Sequence, residues 1–259
     1  MSKKQGNNSP YWVSQNFLTS RKIINKLISI TTIASCDTVL EIGAGKGHIT
    51  KALSEKCKKV ISYEIDEKLY THLKPQLNGN VKLYYGDFLK SKLPSSPYKV
   101  FANIPFSKTT EIIRKLTSAH DLPESIWLIM EKGAAKRFCG LPKDNINSLL
   151  LKPFFDSKII WYFNRNDFHP APNTDVVMLE MKLKETFDIP PSQKDDFKVF
   201  LEQSQKSLFS SRPLLTKKQI STALRLEKLP QIPQTGDVSY IQWLCLFRCW
   251  LNFGKNKRG

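Results

Sequence analysis

Between Thr38 and Thr50 the chain reads Thr-Val-Leu-Glu-Ile-Gly-Ala-Gly-Lys-Gly-His-Ile-Thr, an apolar run, then glycines at alternate positions, then helical spacing. An apolar run of this length reads as a buried strand, and the glycines mark a turn whose backbone a ligand can approach closely. The segment therefore predicts a strand, a ligand-facing turn and a helix in immediate succession. A carboxylate, Glu64 of Tyr-Glu-Ile-Asp, ends the next apolar run. In a doubly wound sheet a carboxylate at that strand end reaches a pair of ribose hydroxyls.

The same alternation continues to Leu183. Thr38 to Gly43, Lys59 to Ile65, Val81 to Asp87, Tyr98 to Ile104, Ser125 to Glu131, Lys158 to Phe163 and Val176 to Leu183 read as strands, being short and rich in Val, Ile, Tyr and Phe. Stretches of helical spacing, such as His48 to Cys57 and Thr109 to Ser118, lie between the early ones. The expected fold is α/β, a Rossmann-like seven-stranded, mostly parallel sheet with helices on both faces. After Lys184 the pattern changes. Pro190 and Pro191 interrupt it, and helical segments follow at Phe197 to Leu208, Lys217 to Leu226 and Tyr240 to Phe253. We expect two domains, 1–184 and 185–259, the second small and helical and ending in a disordered basic tail, Gly254 to Gly259.

Charge narrows the partners. Forty Lys and Arg against 23 Asp and Glu give a net +17. Residues from Glu185 onward carry 12 Lys and Arg against 7 Asp and Glu, a net +5, which leaves +12 in the first 184. Self-repulsion of this size is relieved by a polyanion, so both domains point to nucleic acid. Met1 to Pro10 is polar and opens no secretory signal, and no apolar run is long enough to span a bilayer. Cys36, Cys57, Cys139, Cys245 and Cys249 are odd in number and form no Cys-x-x-Cys pair, which argues against a disulfide framework or a zinc ribbon. Cys245 and Cys249, one helical turn apart without a nearby His, read as core packing. A cytoplasmic protein with neither a metal nor a membrane partner is expected.

The glycine spacing separates two cofactor classes. A dinucleotide fingerprint needs Gly-x-Gly-x-x-Gly, and His48 stands where its third glycine would be. Gly43-x-Gly45-x-Gly47 with Glu41 two positions upstream instead resembles the first motif of S-adenosylmethionine methyltransferases. Asp87, at the end of the third apolar run, has two readings: an acceptor for the amino group of the donor's adenine, or an N-cap for the next helix.

Asn103-Ile104-Pro105-Phe106 closes the fourth strand, at the edge where ligands sit in such sheets. The pattern suits work on the amino group of a base. An adenine amino nitrogen is a poor nucleophile because its lone pair is delocalised into the ring. Two acceptors, the Asn103 side-chain oxygen and the Ile104 carbonyl, would favour a pyramidal nitrogen with a localised lone pair. Pro105 stiffens the backbone after that carbonyl. Phe106 offers a face on which a flipped base stacks and which favours the sulfonium charge of the donor.

With these residues in order, the chain resembles the ribosomal RNA adenine N6-dimethyltransferases, and within them the Erm group, whose members modify 23S rRNA and confer resistance to macrolide, lincosamide and streptogramin B antibiotics. The resemblance spans nearly the whole chain. It rests on Ser14-Gln15-Asn16-Phe17-Leu18, on the blocks around Gly43, Glu64, Asp87 and Asn103, and on Phe168-His-Pro-Ala-Pro172. Ile126 to Phe138 and the basic C-terminal segment look more like Erm than like the housekeeping small-subunit branch. The resemblance implies cofactor contacts from Asn16, Leu18, Gly43, Gly45, Glu64, Ile65, Asp87 and Asn103. It implies a base site of Asn103, Ile104, Pro105 and Phe106, with Phe168 facing the base from the opposite side. Phe106 stands where the family commonly has Tyr, which removes a hydroxyl but keeps the ring. Asn173-Thr-Asp-Val departs from the family's usual residues after the last proline.

The implied reaction is direct in-line methyl transfer to N6, with ribosomal RNA as partner before or during ribosome assembly and the protein acting as a monomer. None of the four histidines reads as a base. The alternatives are a housekeeping small-subunit dimethyltransferase or a transcription factor derived from one, a DNA adenine methyltransferase, and a non-catalytic RNA-binding module. The intact glycine loop, Glu64 and Asn103 speak against the last.

Overall fold

The computed structural model describes residues 16–95, 97–118, 120–207, 214–232 and 237–253. Ser14, Gln15, Leu208 and the basic tail Gly254 to Gly259 lie outside them. In chain order the elements are β1 (Phe17–Leu18), α1 (Arg21–Ser29), β2 (Thr38–Ile42), α2 (His48–Ser54), β3 (Lys59–Glu64), α3 (Glu67–Leu73), β4 (Val81–Tyr85), β5 (Lys99–Asn103) and α4 (Thr109–Ser118). They continue with β6 (Ser125–Glu131), α5 (Lys132–Cys139), α6 (Ile146–Leu151), β7 (Phe155–Tyr162), β8 (Phe168–His169), β9 (Val176–Leu183), α7 (Lys194–Ser207), α8 (Lys217–Leu226) and α9 (Tyr240–Phe253).

Seven strands form one sheet in the order β4-β3-β2-β5-β6-β9-β7. The pairs β3·β4, β2·β3, β2·β5 and β5·β6 are parallel, and β6·β9 is antiparallel. The architecture is the expected Rossmann-like α/β sheet with a helical C-terminal part. The burial of the strands explains their apolar runs. Consecutive residues Val39 to Ile42 of β2 and Ser125 to Met130 of β6 are all buried, so both faces of the central sheet are covered. On the edge strand β4 every residue is at least partly exposed. Helices α1 and α2 bring Ile24, Leu27, Ile28, Ile49 and Leu53 against Val39, Val60, Phe101, Trp127 and Ile129 of the strands.

Topology places the site. From β2 the chain first moves outward through β3 to β4, then returns to the other side of β2 with β5 and β6. The carboxyl ends of β2 and β5 therefore flank the point where strand order reverses, the crevice where open α/β sheets bind ligands.

The chain divides into two compact units. One comprises the described residues up to Ala135 together with Lys158–Leu183; the other comprises Lys136–Ser157 together with the described residues from Lys184 onward. Segment 136–157 joins the residues that follow Leu183, an association that the linear reading at 184/185 does not include. The reason lies in packing within the second unit. Helix α6 packs on α7, Phe154 meets Phe187 edge-on at 5.2 Å, and the amides of Lys184 and Asp188 donate to the carbonyls of Phe154 and Pro153. Tertiary contacts of this kind leave no mark in local periodicity. Helix α9 is the centre of that unit. Gln242 to Phe247, Cys249 and Trp250 are buried, and Phe247 and Trp250 pack against Phe200 at 5.6 Å each. A helix apolar on most of its circumference is one surrounded by others. Cys245 and Cys249 are buried in it as free thiols. No helix among the described residues is long and apolar enough to cross a membrane.

Candidate active site

Gly43, Gly45 and Gly47 all have positive φ, at +79°, +54° and +79°. A side chain would be strained at each, and at Gly45 a Cβ would also stand 2.8 Å from the Phe17 ring. The loop is laid over the end of β3 by two backbone bonds, from the amides of Gly43 and Ala44 to the Tyr63 carbonyl at 2.9 and 3.0 Å. Its next amide, that of Gly45, donates to Glu64 Oε2 at 2.6 Å, while the Asp66 amide donates to Oε1 at 2.8 Å. Glu64 is 2% exposed, and burial raises its carboxyl above the ordinary range against the pull of those amides. Each oxygen keeps a further acceptor position.

A second buried carboxylate braces this arrangement from below. Glu41 is 1% exposed, and its Oε2 accepts from Thr50 Oγ of α2 and Ser62 Oγ of β3, both at 2.7 Å. Burial pushes its pKa up to about 7. Three elements that flank the glycine loop are thereby joined through one side chain.

A cleft opens above the loop. Asn16, Phe17, Leu18, Gly43, Gly45, Lys46, His48, Glu64, Ile65 and Asn103 to Phe106 line it, with Ala44 and Ile49. A neighbouring cavity shares Gly43, Ile65 and Pro105 and adds Asp87, Tyr63, Phe88, Leu89, Lys108 and Ile112. Asp87 Oδ1 accepts from the Leu89 amide at 2.8 Å, so it does cap the short turn Phe88–Lys90. It also faces the cavity. The two readings of Asp87 are compatible, because capping occupies one oxygen only.

Asn103 ends β5 opposite Ile129, and its Nδ2 donates to the Asn16 carbonyl at 2.8 Å. With the amide nitrogen committed there, Oδ1 is the group left to accept from a ligand. The Ile104 amide is held by Ile129 O at 3.2 Å, and Phe106 is pinned through its carbonyl by Thr109 Oγ at 3.0 Å.

The N-terminal segment is fixed from the other side. In a two-stranded sheet β1 pairs antiparallel with β8, Phe17 opposite His169 and Leu18 opposite Phe168. This ladder ties the proline-rich loop to the segment that walls the cleft. Phe168 itself is 4% exposed, packed in the core against Phe163 at 5.1 Å, and does not line the cleft. Contact with a base from that side requires the loop between β7 and β9 to move.

The structure thus brings Asn16, Leu18, Gly43, Gly45, Glu64, Ile65, Asn103, Ile104, Pro105 and Phe106 around one cleft and Asp87 into the cavity beside it. Phe17, part of the N-terminal segment that carries the resemblance but not singled out within it, also lines the cleft, as do Lys46 and His48, which sequence reasoning missed. Lys46 Nζ lies 5.0 Å from the Phe17 ring centroid. The His48 pKa is lowered by burial and by Lys46 and Lys51, which favours the neutral ring. The available signal for His48 was its place at the first residue of α2, directly after the loop. Among the described residues no group of three His, Cys, Asp or Glu could hold a metal ion.

A family model described as ribosomal RNA adenine dimethylase matches residues 6–242. A relative from Enterococcus faecalis (strain ATCC 700802 / V583), named rRNA adenine N-6-methyltransferase, is 32% identical over 247 residues, covering 94% of this chain and 97% of its own. One of the same name from Bacillus licheniformis is 31% identical over 250 residues, covering 92% and 86%. Among solved structures, the 23S rRNA methyltransferase ErmE superposes with a TM-score of 0.78 at 22% identity, over 90% of this chain and 99% of that one. A dimethyladenosine transferase from Plasmodium falciparum gives 0.70 at 22% identity, over 91% and 98%. The two structures share the fold.

Proposed function

Because this chain belongs to the ribosomal RNA adenine dimethylase family and is an rRNA adenine N6-methyltransferase, we propose that it methylates N6 of an adenine in 23S rRNA with S-adenosylmethionine and so confers macrolide, lincosamide and streptogramin B resistance. The observation that carries the chemistry is Asn103, whose amide nitrogen is committed to Asn16 O and whose oxygen is left at the switch point of the sheet. The bias toward 23S rests on the whole-chain likeness to Erm at Ile126 to Phe138 and in the basic C-terminal region.

The residues fit a nucleoside-type donor. Positive-φ glycines let it approach the backbone, buried Glu64 offers acceptors for a ribose hydroxyl pair, and Asp87 offers one for an adenine amino group. Such a donor supplies a methyl group on a sulfonium centre. Asn103 Oδ1 and the Ile104 carbonyl accept from the target amino group and localise its lone pair. Phe106 stacks on the flipped base and restricts it to the reactive orientation. Held by these residues, the donor would supply its methyl group to the nitrogen and keep the sulfur's electron pair, and the amino proton would leave to solvent. His48, although in the cleft wall, is not needed as a base. The protein acts as a cytoplasmic monomer, and basic side chains of both units neutralise phosphates. Incubation with labelled donor and protein-free 23S rRNA, 16S rRNA or DNA, followed by mapping of the product, tests the reading. Label in a 23S adenine is expected; label confined to 16S or to DNA overturns it.

A further inference from the structure

Helix α4 begins three residues after Phe106 and carries Lys115 at the end of its second turn. Lys115 is half-buried, and its ammonium donates to the carbonyls of Phe88 at 2.7 Å and Leu89 at 3.0 Å, and to that of Ser91. An ammonium has three donors, and here three carbonyls of one turn receive them. The same Nζ lies 4.8 Å from the centroid of the Phe88 ring, which meets Tyr63 edge-on at 5.8 Å. Phe88, Leu89 and Tyr63 all wall the cavity that contains Asp87. One turn before Lys115, Ile112 of the same helix walls that cavity too.

We infer that Lys115 is a positioning residue that clamps the turn after β4, holding Asp87 where it reads the amino group of the donor's adenine. The inference rests on the proposed assignment of that cavity to the adenine. Three carbonyls gathered in a half-buried place repel one another unless a cation joins them. The clamp reaches from α4, the helix that follows the base-binding residues, so it fixes the donor pocket relative to the target-base site.

The test compares Lys115→Met, Lys115→Arg and Asp87→Ala with the unaltered protein. Calorimetry measures S-adenosylhomocysteine and S-inosylhomocysteine, in which an oxo group replaces the 6-amino group and N1 carries a hydrogen. The unaltered protein is expected to prefer the adenosyl compound, and Asp87→Ala to abolish the preference. Lys115→Met is expected to lower the preference about tenfold, the effect of one misplaced hydrogen bond. The KM for the donor should rise by the same factor while kcat at saturating donor stays within about twofold. Lys115→Arg, which keeps a cation and donors, should recover part of the preference. It also carries the test by itself if Lys115→Met does not fold, since an unchanged preference in a folded Lys115→Arg with its different donor geometry would then overturn the clamp. An unchanged preference in Asp87→Ala overturns the cavity assignment. A lost preference there with an intact one in Lys115→Met overturns the role of Lys115. Equal weakening of both compounds in Lys115→Met, with a lowered melting temperature, reduces Lys115 to a structural residue and also overturns it.

Discussion

The two halves of the cleft are built differently. The half assigned to the donor is held by hydrogen bonds to two buried carboxyl groups: Gly45 N to Glu64, Asp66 N to Glu64, and Thr50 and Ser62 to Glu41. The half assigned to the base is held by single hydrogen bonds, from Asn103 Nδ2 to Asn16 O, from the Ile104 amide to Ile129 O and from Thr109 Oγ1 to Phe106 O, and one of its expected members, Phe168, is folded into the core. Rigid polar anchoring suits a small ligand of constant shape.

The contrast predicts that mutations in the two halves separate binding from chemistry. The largest effect belongs to Asn103→Ala. Single-turnover methylation should slow by roughly two to three orders of magnitude, the scale of losing one preorganised polar contact to the reacting group. Donor affinity should change far less. A wild-type rate in this variant would remove the base half from the comparison.

The next effect is on stability and depends on pH. The folded-state pKa of Glu41 is pushed up to about 7, above its ordinary 4.5. The native protein therefore holds a proton between these values that the unfolded chain has released. The contribution is greatest below pH 4.5, falls as pH rises toward 7 and is lost above it. With one pKa unit worth about 1.4 kcal/mol, the span is about 3 kcal/mol. Urea unfolding of Glu41→Gln should show a flatter profile than the unaltered protein across this window; parallel profiles would mean that the carboxyl is not raised.

Glu64→Ala should weaken donor binding by about 1–3 kcal/mol, because it strands the amides of Gly45 and Asp66 as well as the ligand. The rate at saturating donor should be spared, as calorimetry and single-turnover assays on one preparation would reveal. A loss of the same size is expected at Phe106, in the rate instead of in donor binding. Phe106→Tyr should keep activity, and Phe106→Leu should lose about 1–3 kcal/mol of base stacking in the rate while total RNA affinity barely moves. A large loss of RNA affinity in Phe106→Leu would show that this half anchors the substrate instead of presenting it.

The same division governs what could be read from the chain. Thr109 to Ser118, Lys217 to Leu226 and Tyr240 to Phe253 form helices at their expected bounds, because each combines an amphipathic or apolar pattern with sufficient length. Arg21–Ser29, Glu67–Leu73, Lys132–Cys139 and Ile146–Leu151 have no counterpart in the expected helices, whereas the equally short His48–Ser54 does, because the glycine loop before it marks its start. Glycines and strand-end carboxylates were legible because only certain residue types satisfy a positive φ or a strand-end acceptor. Phe17, Lys46 and His48 reach the cleft through position alone, and nothing distinguishes Lys115 from the other 39 basic residues until its three carbonyls are seen. The β1·β8 ladder, two residues long, carries no period to detect.

That ladder also sets a timetable. Phe17 waits for His169, and Asn16 for Asn103, so the first described residues of the chain find their places only after most of the protein exists. Closing so long a loop is entropically slow to reward, and during synthesis the N-terminal segment emerges long before its partner. A ribosome making this protein therefore cannot complete this wall before it has added His169, and fragments stopped short of Phe168 lack the strand that holds it.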